Sequence, residues 1–108
     1  MTARRDVRPT SDFFDDLHRQ LPAERGEDGT PSRTDFELYE LLAILDRFAT
    51  GWEDLPPLIP GRDDYRVLIA TGRLVRAYAV HGQLAADGVV ELVFLRIDVG
   101  SQLGRHDL

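Results

Sequence analysis

Four arginines and one histidine fall in or beside three apolar runs in the second half of the chain. Arg66 lies in residues 65–70, Arg73 and Arg76 in residues 73–80, and Arg96 in residues 89–97, with His81 directly after the second run. A guanidinium is a planar fork of donors that matches phosphate and carboxylate oxygens. His81 is the one side chain of this region that titrates near neutral pH. A small sheet carrying these groups is a frame for holding RNA or a protein partner. The competing assignment for each arginine is a surface ion pair, since Asp63, Asp64, Glu91 and Asp98 are close at hand. For His81, followed by Gly82, it is an ordinary loop histidine.

The three runs predict consecutive strands. Thr71-Gly72 and a loop ending in Asp87-Gly88 connect them, and glycine supplies the positive φ that tight hairpins need. An antiparallel meander follows. With Thr71-Gly72 as a two-residue turn, Ala70 pairs with Arg73. Tyr65, Val67, Ile69, Leu74, Tyr78 and Val80 then share a face with Arg76 and meet the helices. Arg66, Leu68, Ala70, Arg73, Val75, Ala77, Ala79 and His81 form the open face.

The elements that position this sheet precede it. Residues 1–10 read as an Arg-rich arm or a short first strand at residues 6–8. Thr10 or Ser11 caps a first helix over residues 12–20, with Asp12, Asp15 and Asp16 at the positive end of its dipole. Phe13, Phe14, Leu17 and Leu21 give it an apolar stripe, and Pro22 stops it. After a Gly- and Pro-containing loop, Thr34 and Glu37 form a capping box for a helix over residues 35–49. Phe36, Leu38, Tyr39, Leu41, Leu42, Leu45 and Phe48 mark its buried face, and Gly51 ends it. Residues 51–64 are a Pro-rich connector pinned by Trp52, Leu55, Leu58 and Ile59. Tyr39 and Tyr78 are core residues, and residues 100–108 form a tail. The expected fold is α+β, with two N-terminal helices packed on a three- to four-stranded antiparallel sheet in a single domain.

Bulk properties narrow the function classes. With 108 residues the chain is one domain, and 43% hydrophobic content builds one modest core. Every basic residue is arginine, and there is no cysteine, which removes disulfides and thiolate metal sites. No apolar run reaches the roughly 18 residues needed to span a membrane, so a cytoplasmic location is expected. Residues 1–61 carry 7 Arg against 13 acids, and residues 62–108 carry 6 Arg against 6 acids. The net charge of −6 argues against indiscriminate nucleic-acid binding. His18, His81 and His106 have no ligand spacing, so neither a metal nor another cofactor is expected. No phosphate loop or serine elbow appears. The acid pairs Asp15/Asp16, Glu53/Asp54 and Asp63/Asp64 fit helix starts and turns.

The order of these parts resembles the RelE/ParE toxin superfamily over residues 12–99. The resemblance rests on a helical pair bearing Phe14, Leu17, Leu21 and then Leu41 to Phe48, and on a connector ending at Pro60-Gly61. Tyr65-Arg66-Val67, a Gly-containing turn, Arg76-Ala77-Tyr78 and a last apolar strand complete it. It implies a messenger RNA endoribonuclease acting on the ribosome, or a gyrase inhibitor, neutralised by a cognate antitoxin. The family's basic strand positions match Arg66 and Arg76, or Arg73 with a slipped register. Its basic pair after the last strand reads Arg96-Ile97-Asp98, so only Arg96 matches, and His106 is the nearest C-terminal candidate. Cleavage of this type needs a base for the 2′-hydroxyl, cations for the phosphorane and an acid for the leaving oxygen. Arg66, Arg73 and Arg96 are the candidate cations and His81 the candidate acid–base. The alternative is a non-catalytic protein-binding member of the same fold.

Overall fold

The computed structural model describes residues 4–100. Its elements are β1 (Val7–Pro9), α1 (Ser11–Gln20), α2 (Arg33–Phe36), a π turn (Glu37–Leu41), α3 (Leu42–Thr50), a 3-10 turn (Trp52–Asp54), β2 (Tyr65–Ala70), β3 (Ala77–Leu84) and β4 (Val90–Asp98). The class is α+β. The strand order is β1-β4-β3-β2, and β2, β3 and β4 form the expected antiparallel meander. β1 pairs parallel to β4, so the sheet is mixed and not antiparallel throughout. The helices lie between β1 and β2, and a long crossover of this kind is what admits a parallel neighbour.

β1 is short, and α1 takes over where it ends. The Thr10 side chain caps α1 by accepting from the Phe13 N–H. The Thr10 backbone N–H and hydroxyl both donate to the Leu92 carbonyl, at 3.0 and 2.8 Å. Farther along β4, the Leu95 N–H donates to Asp16 Oδ2 at 3.0 Å. Gln20 donates to the Leu95 carbonyl and accepts from the Ile97 N–H, each at 2.7 Å. Asp16 and Gln20 are one turn apart and thus on one helix face. Their side chains satisfy the edge of β4 as a strand would, which closes that edge to other chains.

The second helical stretch starts earlier than its sequence suggests. Ser32 accepts from the Asp35 N–H, and Asp35 accepts in return from the Ser32 N–H at 2.9 Å. This box displaces the expected Thr34/Glu37 pair. The fully buried stripe is Phe36, Glu40, Ile44 and Phe48; of the expected leucines, Leu41 and Leu45 pack partly buried against it, while Leu38 and Leu42 do not. A strict four-residue spacing drifts around an ideal α-helix, and the underwound π turn at Glu37–Leu41 corrects the phase. Leu38, Tyr39 and Leu42 consequently face outward, Leu42 being 70% exposed. Trp52 and Leu55 pin the connector as expected, whereas Leu58 and Ile59 are exposed.

The largest correction concerns register. Residues 71–76 are a loop and not a tight turn plus strand, and Ala70 pairs with Tyr78 instead of Arg73. The slip is odd, so it exchanges the faces of β2 relative to β3. Leu68, Tyr78 and Val80 line the core, while Tyr65, Val67, Ile69, Ala77, Ala79 and His81 share the other face. Glu40 holds the loop: its carboxyl oxygens accept from the N–H groups of Arg73, Leu74 and Val75 at 2.8 to 3.2 Å. Gly72 permits this approach, since a Cβ there would sit 2.6 Å from Glu40 Oε2. Gly82 does the same on β3, where a Cβ would meet the Phe48 ring at 2.6 Å. A bulge in β4 beside it moves the register between His81 and Gly82.

Candidate functional site

The core draws Phe13, Leu17 and Leu21 of α1, Phe36, Ile44 and Phe48 of the second helical stretch, and Trp52 onto one side of the sheet. The pairings assign the other side row by row. One row is Tyr65, Gln83, Glu91 and Arg8; the next is Val67, His81 and Phe94; then Ile69, Ala79 and Arg96; and last Ala77 and Asp98. Ile69 is 74% exposed, the largest exposure of any big apolar side chain among the described residues.

Aromatic packing fills the middle of this face. His81 stacks on Phe94 with ring centroids 4.3 Å apart and meets Tyr65 edge-on at 5.7 Å. The Tyr65 hydroxyl is 3.2 Å from His81 Nδ1. Burial pushes the His81 imidazole below its ordinary pKa. The unfolded chain therefore binds the His81 proton more readily than the folded one, and stability falls as pH drops through about 6.5. The loss levels off below the folded-state value. Urea unfolding of the wild type and His81→Asn at pH 7.5, 6.5 and 5.5 checks this. The stability difference between the two proteins should shrink or reverse toward pH 5.5; a difference constant with pH contradicts it.

The arginines expected to act together are dispersed. Arg66 is on the opposite parity of β2 from Tyr65 and Ile69. Its guanidinium donates to the carbonyls of Leu55 at 2.7 Å, Asp63 at 2.9 Å and Glu53 at 3.3 Å. It also lies 5.4 Å from the Trp52 ring centroid. Its Nε and Nη1 donors are engaged by the connector and its flanking turn, so the structure gives this guanidinium a positioning role there. Arg73 and Arg76 are in the loop and not on the strand expected to carry them. The Arg73 guanidinium is exposed, with no polar partner among the described residues, while Arg76 lies 4.0 Å from Asp98. Arg96 is on the open face, exposed, with no hydrogen bond or ion pair among the described residues. Only His81 and Arg96 share a surface, as diagonal neighbours across β3 and β4. His106 lies outside the described residues.

The row of Ile69, Ala79 and Arg96 forms a channel. Its floor is Ala77 and Ala79, Ile69 walls one side, Arg96 and Asp98 wall the other, and its volume is about 150 Å³. Among the described residues nothing pairs with the outer edge of β2 beside it. The connector pairs with the first half of β2, Leu58 N–H to Tyr65 carbonyl and Pro56 carbonyl to Val67 N–H, both at 3.1 Å. Pro56 has no N–H to return to Val67. The Leu84 N–H donates to the Asp64 carbonyl, so even-numbered residues turn toward β3 and Ile69 turns its N–H and C=O outward. Ile69 thus offers both side chain and backbone.

Sequence reasoning missed Phe94, Ile69, Asp16 and Glu40. A glutamate at four-residue spacing between Phe36 and Ile44 was the one legible signal among these, because a polar residue in a core stripe needs buried partners. Among the described residues no cluster of His, Asp or Glu is placed to hold a metal ion, and no helix is long and apolar enough to cross a membrane. No family model, curated protein or solved structure matches the chain.

Proposed function

We propose that this chain is a protein-binding domain that docks its partner on the uncovered face of the sheet. This is the non-catalytic form of the RelE/ParE-like reading, with a cognate antitoxin or a gyrase-type target as the kind of partner that resemblance implies. The observation that carries it is Ile69, 74% exposed on a face no helix covers. A strand edge with unpaired N–H and C=O groups is a template for pairing with another chain, and Ile69 adds an apolar side chain to it. The commitment of Arg66 to backbone carbonyls supports binding over cleavage. A photo-crosslinking residue in place of the exposed Thr71, directly after β2 and outside the channel floor, activated in living cells, tests the proposal. One protein adduct is expected, and it should vanish when Ile69→Asp is added. Adducts to RNA, or a protein adduct indifferent to Ile69→Asp, would overturn it.

The second reading is ribosome-dependent messenger RNA cleavage by His81 with Arg96. The Tyr65 hydroxyl at 3.2 Å from His81 Nδ1 favours it, because that contact fixes the imidazole. A base held below its ordinary pKa is neutral at pH 7 and able to take a proton. Against it stands Arg96 as the one arginine next to His81 on the strands, where chemistry of this type gains most from several cations.

A further inference from the structure

We infer that the channel between Ile69 and Arg96 receives an extended partner segment that presents an apolar side chain next to a carboxylate. This rests on the docking reading above and specifies the partner's chemistry. The channel's about 150 Å³ suits one aliphatic side chain, not a folded surface. Its floor is alanine on two successive same-face positions of β3, Ala77 and Ala79, so a second backbone can approach the sheet closely there. Flanking those alanines are Ile69 on β2 and Arg96 on β4.

Charge selects the occupant. Of the two charged residues in the channel, Asp98 has Arg76 beside it at 4.0 Å. Arg96 makes no ion pair or hydrogen bond among the described residues, Asp98 included. The exposed charges on the adjoining loop are Arg73 and Arg76, and the carboxyl group nearest that loop, Glu40, is buried and bound to backbone N–H groups. This end of the sheet is therefore a cationic spot on a chain whose net charge is −6. An acidic segment is attracted here and repelled elsewhere, which fixes both site and register. The outward N–H and C=O of Ile69 lie at the channel's rim and favour an extended backbone over a helical one.

Two synthetic peptides test this, one alternating leucine and glutamate and one alternating leucine and lysine, titrated into isotope-labelled full-length protein. The glutamate peptide should shift the NMR signals of Ile69, Ala77, Ala79 and Arg96. Its affinity should drop by about tenfold or more in Arg96→Glu, a surface change, and in Ala79→Phe, which fills the floor. Arg96→Glu should in turn favour the lysine peptide. If the lysine peptide binds the wild type at the same residues equally well, the acidic chemistry is wrong while the docking face stands. If neither peptide shifts these signals, the channel is not a peptide site, and the crosslinking experiment alone decides whether the face binds a protein.

Discussion

Glu40→Ala should cost about 3–6 kcal/mol of folding stability, because it removes the acceptor of three backbone N–H groups, each costing about 1–3 kcal/mol when fully buried and unsatisfied and less for the two that are only partly buried. That is a large part of the roughly 5–15 kcal/mol that holds a domain of this size together. Glu40 is 1% exposed, and of the N–H groups it holds, that of Val75 is buried while those of Arg73 and Leu74 are partly buried. The damage should begin in the loop of residues 71–76, whose Arg73, Leu74 and Val75 N–H groups it holds. Glu40→Gln keeps one oxygen and should lose about half as much. Urea midpoints measure the energies, and hydrogen exchange at Arg73, Leu74 and Val75 locates the first opening. An Ala variant within about 1 kcal/mol of wild type would mean that the loop finds other acceptors.

Arg66→Ala is the second large effect, and it separates two roles for the same residue. The structure ties its guanidinium to three carbonyls of the connector and its flanking turn and to the Trp52 ring. The expected loss is about 2–4 kcal/mol, combining charged hydrogen bonds and a cation–π contact that are partly open to solvent. Arg66→Lys should recover little of it, since an ammonium lacks the fork that spans several carbonyls. Partner binding should fall only as far as the folded fraction does. Thermal unfolding and crosslinking yield, measured on the same variant, decide the matter. A fully stable Arg66→Ala protein that has lost its biological effect would restore the residue to the functional site.

The sequence made much of this architecture readable, for identifiable reasons. Alternation and glycine turns are local signals, so the meander of β2, β3 and β4 could be anticipated. Thr10, Pro22 and Gly51 act on their own neighbours, so the helix limits they set also held. What failed depended on partners distant in sequence. The loop at residues 71–76 looks like a hairpin turn flanked by strand, but a glutamate thirty-odd residues earlier captures its N–H groups. That one capture moved the register by an odd number, exchanged the faces of β2, and took Arg66 and Arg73 off the open face they were expected to share, while Arg76 left the strand altogether. The parallel pairing of β1 was likewise hidden, since Val7 to Pro9 carries too few residues to show a period. The candidate site suffered most because it depends on which face each residue takes. Ile69 changed from an expected core residue to the most exposed large apolar side chain among the described residues, and Phe94 emerged as the platform under His81.

Induced expression in a bacterial host, following growth together with the 5′ ends of cellular messenger RNA, tests the central claim most directly. A protein-binding domain leaves messenger RNA intact, whether or not growth slows, and any growth effect should disappear with Ile69→Asp. New 5′ ends in phase with codons, abolished by Arg96→Ala or His81→Asn in proteins that still fold, would contradict it and establish the open face as a nuclease site.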